Sequence, residues 1–264
     1  MTQPHIDISL TSISSRLSTL PVTLASLLGQ DYSNFTVNLY LSRDPYMLDE
    51  GVPELPQDIV DLIDGSGGKL RCRYCENIGP YRKLIPYLYE NWGLSRLVVT
   101  VDDDTIYPET WLQQMVDYYH DFGCVIAFRG HEIRFRNSAL APYKNWMRSG
   151  IQDNPSPLLL PTGKDGVLYN TAFFPIDVFN MREAKTLAPT TDDLWFRWHL
   201  ALNGIRAYII NTDYTRETFA ESDYESSLYL NYNISGGNDA AVERLDAYFK
   251  ERHGFDIMSL GREM

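Results

Sequence analysis

The 264-residue sequence is short of cysteine, of basic residues and of long apolar runs, and each shortage closes off a class of protein. Three cysteines, Cys72, Cys75 and Cys124, do not make a disulfide framework. Cys72 and Cys75 form a CxxC, but no second pair and no histidine pair follows at zinc spacing, so they read as reduced thiols beside a strand. Lysine and arginine number 23 against 35 aspartates and glutamates, a net charge of −12. Nucleic-acid binding needs a basic face, so a nucleic-acid partner is not expected. No apolar stretch is long enough to span a bilayer, and the opening residues do not read as a signal peptide. The expectation is a cytoplasmic protein, with peripheral association at the inner face of a membrane left open. Without a secretion signal, the sequons Asn34-Phe35-Thr36 and Asn233-Ile234-Ser235 read as chance matches. Repeats, low-complexity segments and flexible linkers are also missing, which points to one domain over residues 1–264.

What is present alternates. Ile6 to Ile13 reads as a strand, followed by a polar turn with Arg16 and a helix from Ser18 to Gln30 with Gly29 near its end. Phe35 to Leu41 is a second strand, "QDIVDLID" a short amphipathic helix and Lys69 to Tyr74 a third strand. "YRKLIPYLYENW" reads as a helix interrupted or started by proline, "RLVVTV" as a fourth strand, "ETWLQQMVDYYHDF" as a helix and "CVIAF" as a strand. This order predicts an α/β fold whose sheet is open, mostly parallel and flanked by helices. The second half is less regular. A proline-rich loop around Pro155, Pro157 and Pro161 leads into "PTGKDGVLYN". A helix follows from about Asp192 to Asn203, stopped by Gly204, and a final helix comes after "NISGGND".

The chemistry is concentrated in "RLVVTVDDDTIYP", where an apolar run ends in Asp102, Asp103 and Asp104. Adjacent carboxylates raise one another's pKa, so something must compensate them. In open α/β sheets ligands bind beyond the carboxyl ends of the strands, where these three lie. Clustered carboxylates on a tight turn suit a hard divalent cation, Mg²⁺ or Mn²⁺, which can bridge a diphosphate. The plainer alternative is a solvated acidic turn ahead of a helix. A buried strand directly before the acids favours the functional reading.

"VTVDDDTIYP" resembles the DxD signature of glycosyltransferases with the GT-A fold. "SLTSISSRLSTLPVTLASLLGQDY" resembles the first strand and helix of family 2-like members. "TDDLWFRWHLALNGI" resembles the acidic motif that opens their acceptor-facing helix. Exostosin-like enzymes carry a comparable Asp-Asp-aliphatic pattern and a similar triple aspartate. In the family 2 register Thr190 and Thr191 stand where the acidic pair is usual and Asp193 matches a later acid. In the exostosin-like register Asp192 and Asp193 are themselves the pair. The resemblance implies a GT-A fold with a nucleotide-binding half over about 1–108 and an acceptor-side half over about 109–264. It implies transfer of a sugar from a nucleotide-diphosphate donor, a UDP-sugar first, to a glycan or lipid-linked glycan of the cell surface. Retention and inversion both stay open.

Carried onto this chain, the resemblance puts Asp104 on the metal and Asp102 and Asp103 toward the nucleoside. Asp193, or else Asp192, becomes the catalytic acid of the pair. Thr11 and Arg16, after the first strand, fall near base, ribose or diphosphate, and Lys83 falls on the diphosphate. Gly166, in the glycine-rich segment, is expected to line the donor sugar. Arg82 reads almost equally well as a solvated helix face, His131 as a strand histidine and Trp195 as core. Gly236 and Gly237 read as a turn before a cap at Asn238 or Asp239. Two rivals accompany this reading. A nucleotidyltransferase would carry glycine in the first loop, and "TSISSRLSTL" has none. A non-catalytic binding module would have no use for paired acids at Asp192 and Asp193.

Overall fold

The structure, a computed structural model, describes residues 3–148, 150–213, 218–222 and 236–261. In chain order the strands are β1 (Ile6–Thr11), β2 (Phe35–Leu41), β3 (Leu70–Tyr74), β4 (Leu97–Thr100), β5 (Val125–Ala127), β6 (Gly130–Glu132), β7 (Phe135–Arg136), β8 (Ala139–Leu140), β9 (Leu159–Pro161), β10 (Val167–Asn170) and β11 (Ala207–Ile209). The helices are α1 (Leu20–Leu28), α2 (Gln57–Gly65), α3 (Ile85–Glu90), α4 (Trp111–Phe122), α5 (Tyr143–Arg148), α6 (Met181–Leu187), α7 (Asp192–Leu202) and α8 (Asn238–His253).

Seven strands form one sheet in the order β11-β5-β10-β4-β1-β2-β3. All neighbours are parallel except β10, which runs antiparallel to both β4 and β5. The side-chain period of two sorts the strands between two cores. Ile6, Ile8, Leu10, Val37, Leu39 and Val99 face α1, α2 and α4. Tyr40, Val98, Val125 and Tyr169 face the other way, toward α3, α7 and α8. Leu20, Leu24 and Leu27, one helical turn apart, are the buried stripe of α1. Proline sits in the first turn of α1 and of α3, where a missing N–H costs nothing. Gly123 ends α4 at φ 59°, a left-handed conformation that glycine adopts without strain.

The helix read over Tyr81 to Trp92 divides into a 3-10 turn, Gly79–Lys83, and α3. Part of the glycine-rich segment, to which the sequence pattern assigns no element, is the interior strand β10, and β11 and the β6–β9 and β7–β8 ribbons are further additions. Asp239 does not cap α8: its carboxylate accepts the backbone N–H of Tyr143 at 2.7 Å and ties down α5. The sequon at Asn233 lies outside the described residues.

From β1 the chain moves outward through β2 to β3, then returns to place β4 on the other side of β1. Strand order therefore reverses at β1, and the two loops that diverge there, after β1 and after β4, flank a crevice. α7 begins at the same edge. Its residues from Leu194 to Ala201 are all buried, so the acids at its start stand on a rigid support.

Candidate active site

The acidic turn after β4 is fixed by its backbone. Tyr107, 2% exposed, takes the N–H of Asp102 at 3.0 Å and donates back to its carbonyl at 3.3 Å. Thr23 Oγ1 donates to the carbonyl of Asp103 at 2.9 Å, and the N–H of Ser222 to that of Asp104 at 2.9 Å.

The carboxylates are compensated one by one. Arg16 Nη1 reaches Asp103 Oδ1 at 2.6 Å and Asp104 Oδ2 at 3.0 Å. Ser12 Oγ donates to the other oxygen of Asp103 at 2.5 Å. Arg16 is thus a buried clamp on the turn, not a surface arginine. Asp104 remains under-compensated. Burial first, then Asp102 and Asp103, pushes its carboxyl up to about 7 against the pull of Arg16 and Lys164.

Lys83 joins this turn to the acid pair of α7. Its ammonium lies 3.3 Å from Asp102 Oδ1, 3.2 Å from Asp192 Oδ2 and 3.9 Å from Asp193 Oδ1. Burial pulls the ammonium down, but the three carboxylates more than reverse that and leave its pKa well above the ordinary lysine value. Asp192 is buried, and burial with its neighbours Asp193 and Asp102 raises its carboxyl to about 7, against Lys83. Asp193 is raised by burial too, opposed by Lys83 and by the N–H of Gly163, which donates to Oδ2 at 2.9 Å. Its side chain remains 25% exposed, to the cleft. The residue before α7, Thr191, makes no side-chain cap, and neither aspartate serves as one.

A second buried pair shapes the first loop. Arg82 Nη1 bonds Asp49 Oδ2 at 2.8 Å, with both side chains almost wholly buried, and Nη2 donates to the carbonyl of Ser12 at 2.9 Å. Asp49 also accepts from the N–H of Ser14 and from Asn77 Nδ2. Arg82 is a buried strut, not a solvated face. Asp49, singled out by no pattern in the sequence, completes it.

These groups line one cleft of about 530 Å³. Thr11, Arg16, Lys83, Asp102, Asp103, Asp104, Asp192 and Asp193 all reach it. Thr11 Oγ1, however, donates to the carbonyl of Tyr40 at 2.8 Å, along the sheet. Gly166 does not line the cleft. Its φ is +99°, and a Cβ there would stand 2.5 Å from the Trp111 ring, whose Nε1 bonds the carbonyl of Asp165. Within this segment the glycine at the cleft is Gly163. Its φ is not left-handed, so its smallness serves space: a Cβ would stand 2.6 Å from Lys83 Nζ and 3.2 Å from Asp102 Oδ1. Tyr46, Met47, Tyr143, Met147 and Leu194 supply apolar wall. His131 is a buried strand histidine whose imidazole is held down to about 3 by burial, and Trp195 is core, its Nε1 bonding the carbonyl of Val178.

A mixed seven-stranded sheet with an acidic turn at the end of β4 and flanking helices is the GT-A fold of glycosyltransferases. Among solved structures the chain is similar to S. aureus TarS residues 1–349, with 17% identity and a TM-score of 0.53 over 95% of this chain and 73% of that one. The TarS complex with UDP matches at 15% identity and a TM-score of 0.53, covering 93% and 72% of the two chains. The complex with UDP-GlcNAc matches at 17% and 0.51, covering 93% and 73%. At such identities the likeness is one of fold. Comparisons with protein-family models and with curated proteins find no match.

Proposed function

We propose that this protein is a glycosyltransferase that moves a sugar from a nucleotide-diphosphate donor, a UDP-sugar first, to a hydroxyl of a glycan or glycolipid acceptor in surface polysaccharide synthesis. The reading rests above all on one feature. A single buried lysine brings the acidic turn of β4 and the acidic start of α7 within 3.9 Å of its ammonium, at the mouth of a cleft. Two such acid groups have separate uses in sugar transfer, one on the donor and one on the acceptor. The UDP and UDP-GlcNAc complexes of the similar TarS fold support the choice of donor.

In this reading Asp102 faces the ribose, and Arg16 and Ser12 hold Asp103 so that the turn keeps its shape. Arg129, with Lys164, which is ion-paired with Glu221 of the same cleft, supplies positive charge toward the diphosphate. Mg²⁺ or Mn²⁺ fits the donor set. Such ions take one or two carboxylates together with phosphate oxygens, and Asp104 is a carboxylate whose surroundings are more negative than Arg16 relieves. Among the described residues no group of three or more His, Cys, Asp and Glu forms a cage, so the ion would rest on Asp104 and the donor. Bound there, it would offset charge on the departing diphosphate. Asp193 takes the proton of the acceptor hydroxyl as that oxygen bonds the anomeric carbon. The bond from that carbon to phosphate breaks, and its electron pair leaves with the nucleoside diphosphate. This is a single displacement, which inverts the sugar. Tyr143, Met147 and Leu194 offer the acceptor an apolar wall.

The test is a panel of nucleotide sugars with Mn²⁺, Mg²⁺ or chelator, read by calorimetry for UDP binding and by product analysis for slow donor hydrolysis. Binding of UDP with metal and release of free sugar from one donor are expected. Pyrophosphate released from a nucleoside triphosphate and a sugar phosphate would instead make it a nucleotidyltransferase. Binding without turnover of any donor would make it a non-catalytic module.

A further inference from the structure

Asp193 is the more exposed carboxylate of the acid pair, 25% against 6% for Asp192, yet nothing on its own helix orients it, since the start of α7 carries no side-chain cap. Its two oxygens are held from elsewhere. Oδ2 accepts the N–H of Gly163 at 2.9 Å, from the segment between β9 and β10. Oδ1 faces Lys83 Nζ at 3.9 Å, from the turn before α3. These two partners also constrain each other. A Cβ on Gly163 would stand 2.6 Å from Lys83 Nζ and 3.5 Å from Asp193 Oδ1. Contacts under 3.0 Å are essentially never tolerated, so even alanine there requires the ammonium to move. Nothing in the backbone of Gly163 demands glycine, and the constraint is the room Lys83 occupies.

We propose that Gly163 and Lys83 form a paired positioning device for Asp193. The peptide N–H of Gly163 aims the carboxylate. The bare Cα of Gly163 leaves Lys83 room to bridge Asp102, Asp192 and Asp193. This deepens the transfer reading and rests on it. It also changes the role of Lys83: its ammonium serves the acids, and the basic groups of the cleft wall meet the diphosphate. The charged and titratable groups around Asp193 are Lys83, Asp192 and Asp102, with Tyr169 and Tyr81, whose hydroxyls burial keeps protonated. Lys83 is the cation among them that favours the ionised acid.

The experiment uses Gly163→Ala, Lys83→Met and the double variant. Each is assayed for transfer from whichever UDP-sugar the wild type uses, over the pH range in which the protein is folded. Carboxyl-¹³C NMR of the ligand-free protein follows the titration of Asp193. Each single variant should lose about tenfold to a hundredfold in kcat, the value of one charged hydrogen bond, with the donor KM within about twofold. Lys83→Met should move both the Asp193 midpoint and the acidic limb of the rate profile to higher pH. Gly163→Ala should cost nothing further in the Lys83→Met background, because the room it removes is no longer needed. Losses that multiply in the double variant, or an Asp193 midpoint unmoved by Lys83→Met, would overturn the proposal. If Gly163→Ala does not fold, the near-isosteric Lys83→Met decides through the NMR midpoint. That readout needs no turnover. A protein inactive on every donor but with a shifted midpoint refutes the transfer reading while keeping the device.

Discussion

Replacing Arg16 by leucine removes the cation in direct contact with two of three consecutive aspartates. Its Nη1 lies 2.6 Å from Asp103 and 3.0 Å from Asp104, and its side chain is 10% exposed. Breaking a buried pair by deleting one partner costs about 3–5 kcal/mol, because the remaining charge stays out of water. Asp104 is about one-fifth open to solvent, so the lower end, about 3 kcal/mol, is expected. The same protein supplies a control. Arg73 and Glu90 are 2.5 Å apart, closer than the Arg16 contacts, but 38% and 44% exposed. Exposed pairs contribute about 0–1 kcal/mol however short they are, so Arg73→Leu should cost no more than that. Equilibrium urea unfolding of both variants in chelator gives the two numbers. Repeating Arg16→Leu with Mn²⁺ adds a further test, since an ion on Asp104 should recover part of the loss by mass action. Equal, sub-kilocalorie losses in the two variants would refute the claim that Arg16 is what makes the triple aspartate tolerable.

The Asp104 carboxyl, raised from an ordinary value of 3.8 to about 7, binds its proton more tightly folded than unfolded. Stability from this group is therefore full at acid pH and is lost as pH rises from about 4 to 7. Asp104→Asn should flatten that fall in chelator and raise the urea midpoint at alkaline pH only; a slope equal to wild type would show that the group is not responsible. Gly166→Ala must place a Cβ 2.5 Å from the Trp111 ring at φ +99°, so a loss of about 2–4 kcal/mol in unfolding is expected, with UDP affinity of the folded protein unchanged. Asp193→Asn should keep UDP affinity by calorimetry yet lose about 10²–10⁴ in transfer, the usual range for a general base, while Asp192→Asn, buried behind it, loses less; transfer by Asp193→Asn near the wild-type rate would leave the acid pair without its catalytic role.

The parts of this site that can be seen in the sequence are those whose signal is local. Three aspartates after a run of apolar residues, and two more opening a helix with three of its buried aromatic positions filled by Trp195, Phe196 and Trp198, announce themselves within a window of a dozen residues. The parallel strands from β1 to β4 are legible for the same reason, since each is a short apolar or, in β3, alternating run with a local pattern of its own. β10 is not. It has four residues, begins beside a glycine, and owes its place in the sheet to β4, 67 residues away in the register of Val167 and Thr100. Which glycine of the segment before β10 reaches the cleft is hidden for the same reason. Gly163 and Gly166 are indistinguishable as letters in "PTGKDG". Only the strand that follows decides that one meets Lys83 and the other meets Trp111. Arg82 and Asp49 are likewise a contact between two loops, with no sequence spacing to record it.

The site as folded is more negative than its two buried cations can balance. Asp102, Asp103, Asp104, Asp192 and Asp193 share Arg16 and Lys83, and burial first, then the neighbouring acids, raises the carboxyls of Asp104 and Asp192 to about 7. An anionic donor entering such a cleft meets these acids as well as Arg129 and Lys164 of the wall, and a cation arriving with it would offset negative charge that those two leave. Such an arrangement is costly, because buried carboxylates that must share a cation oppose folding. A transferase gains two things from it. On the proposed reading, a donor that arrives with a compensating cation would be favoured. The acid left facing the cleft holds its proton more tightly than a solvated carboxylate would, and a base is most effective when its pKa approaches the working pH. The same excess of negative charge is what the proposed reading uses twice, once to draw a cation in with the donor and once to keep Asp193 basic enough to take the acceptor's proton.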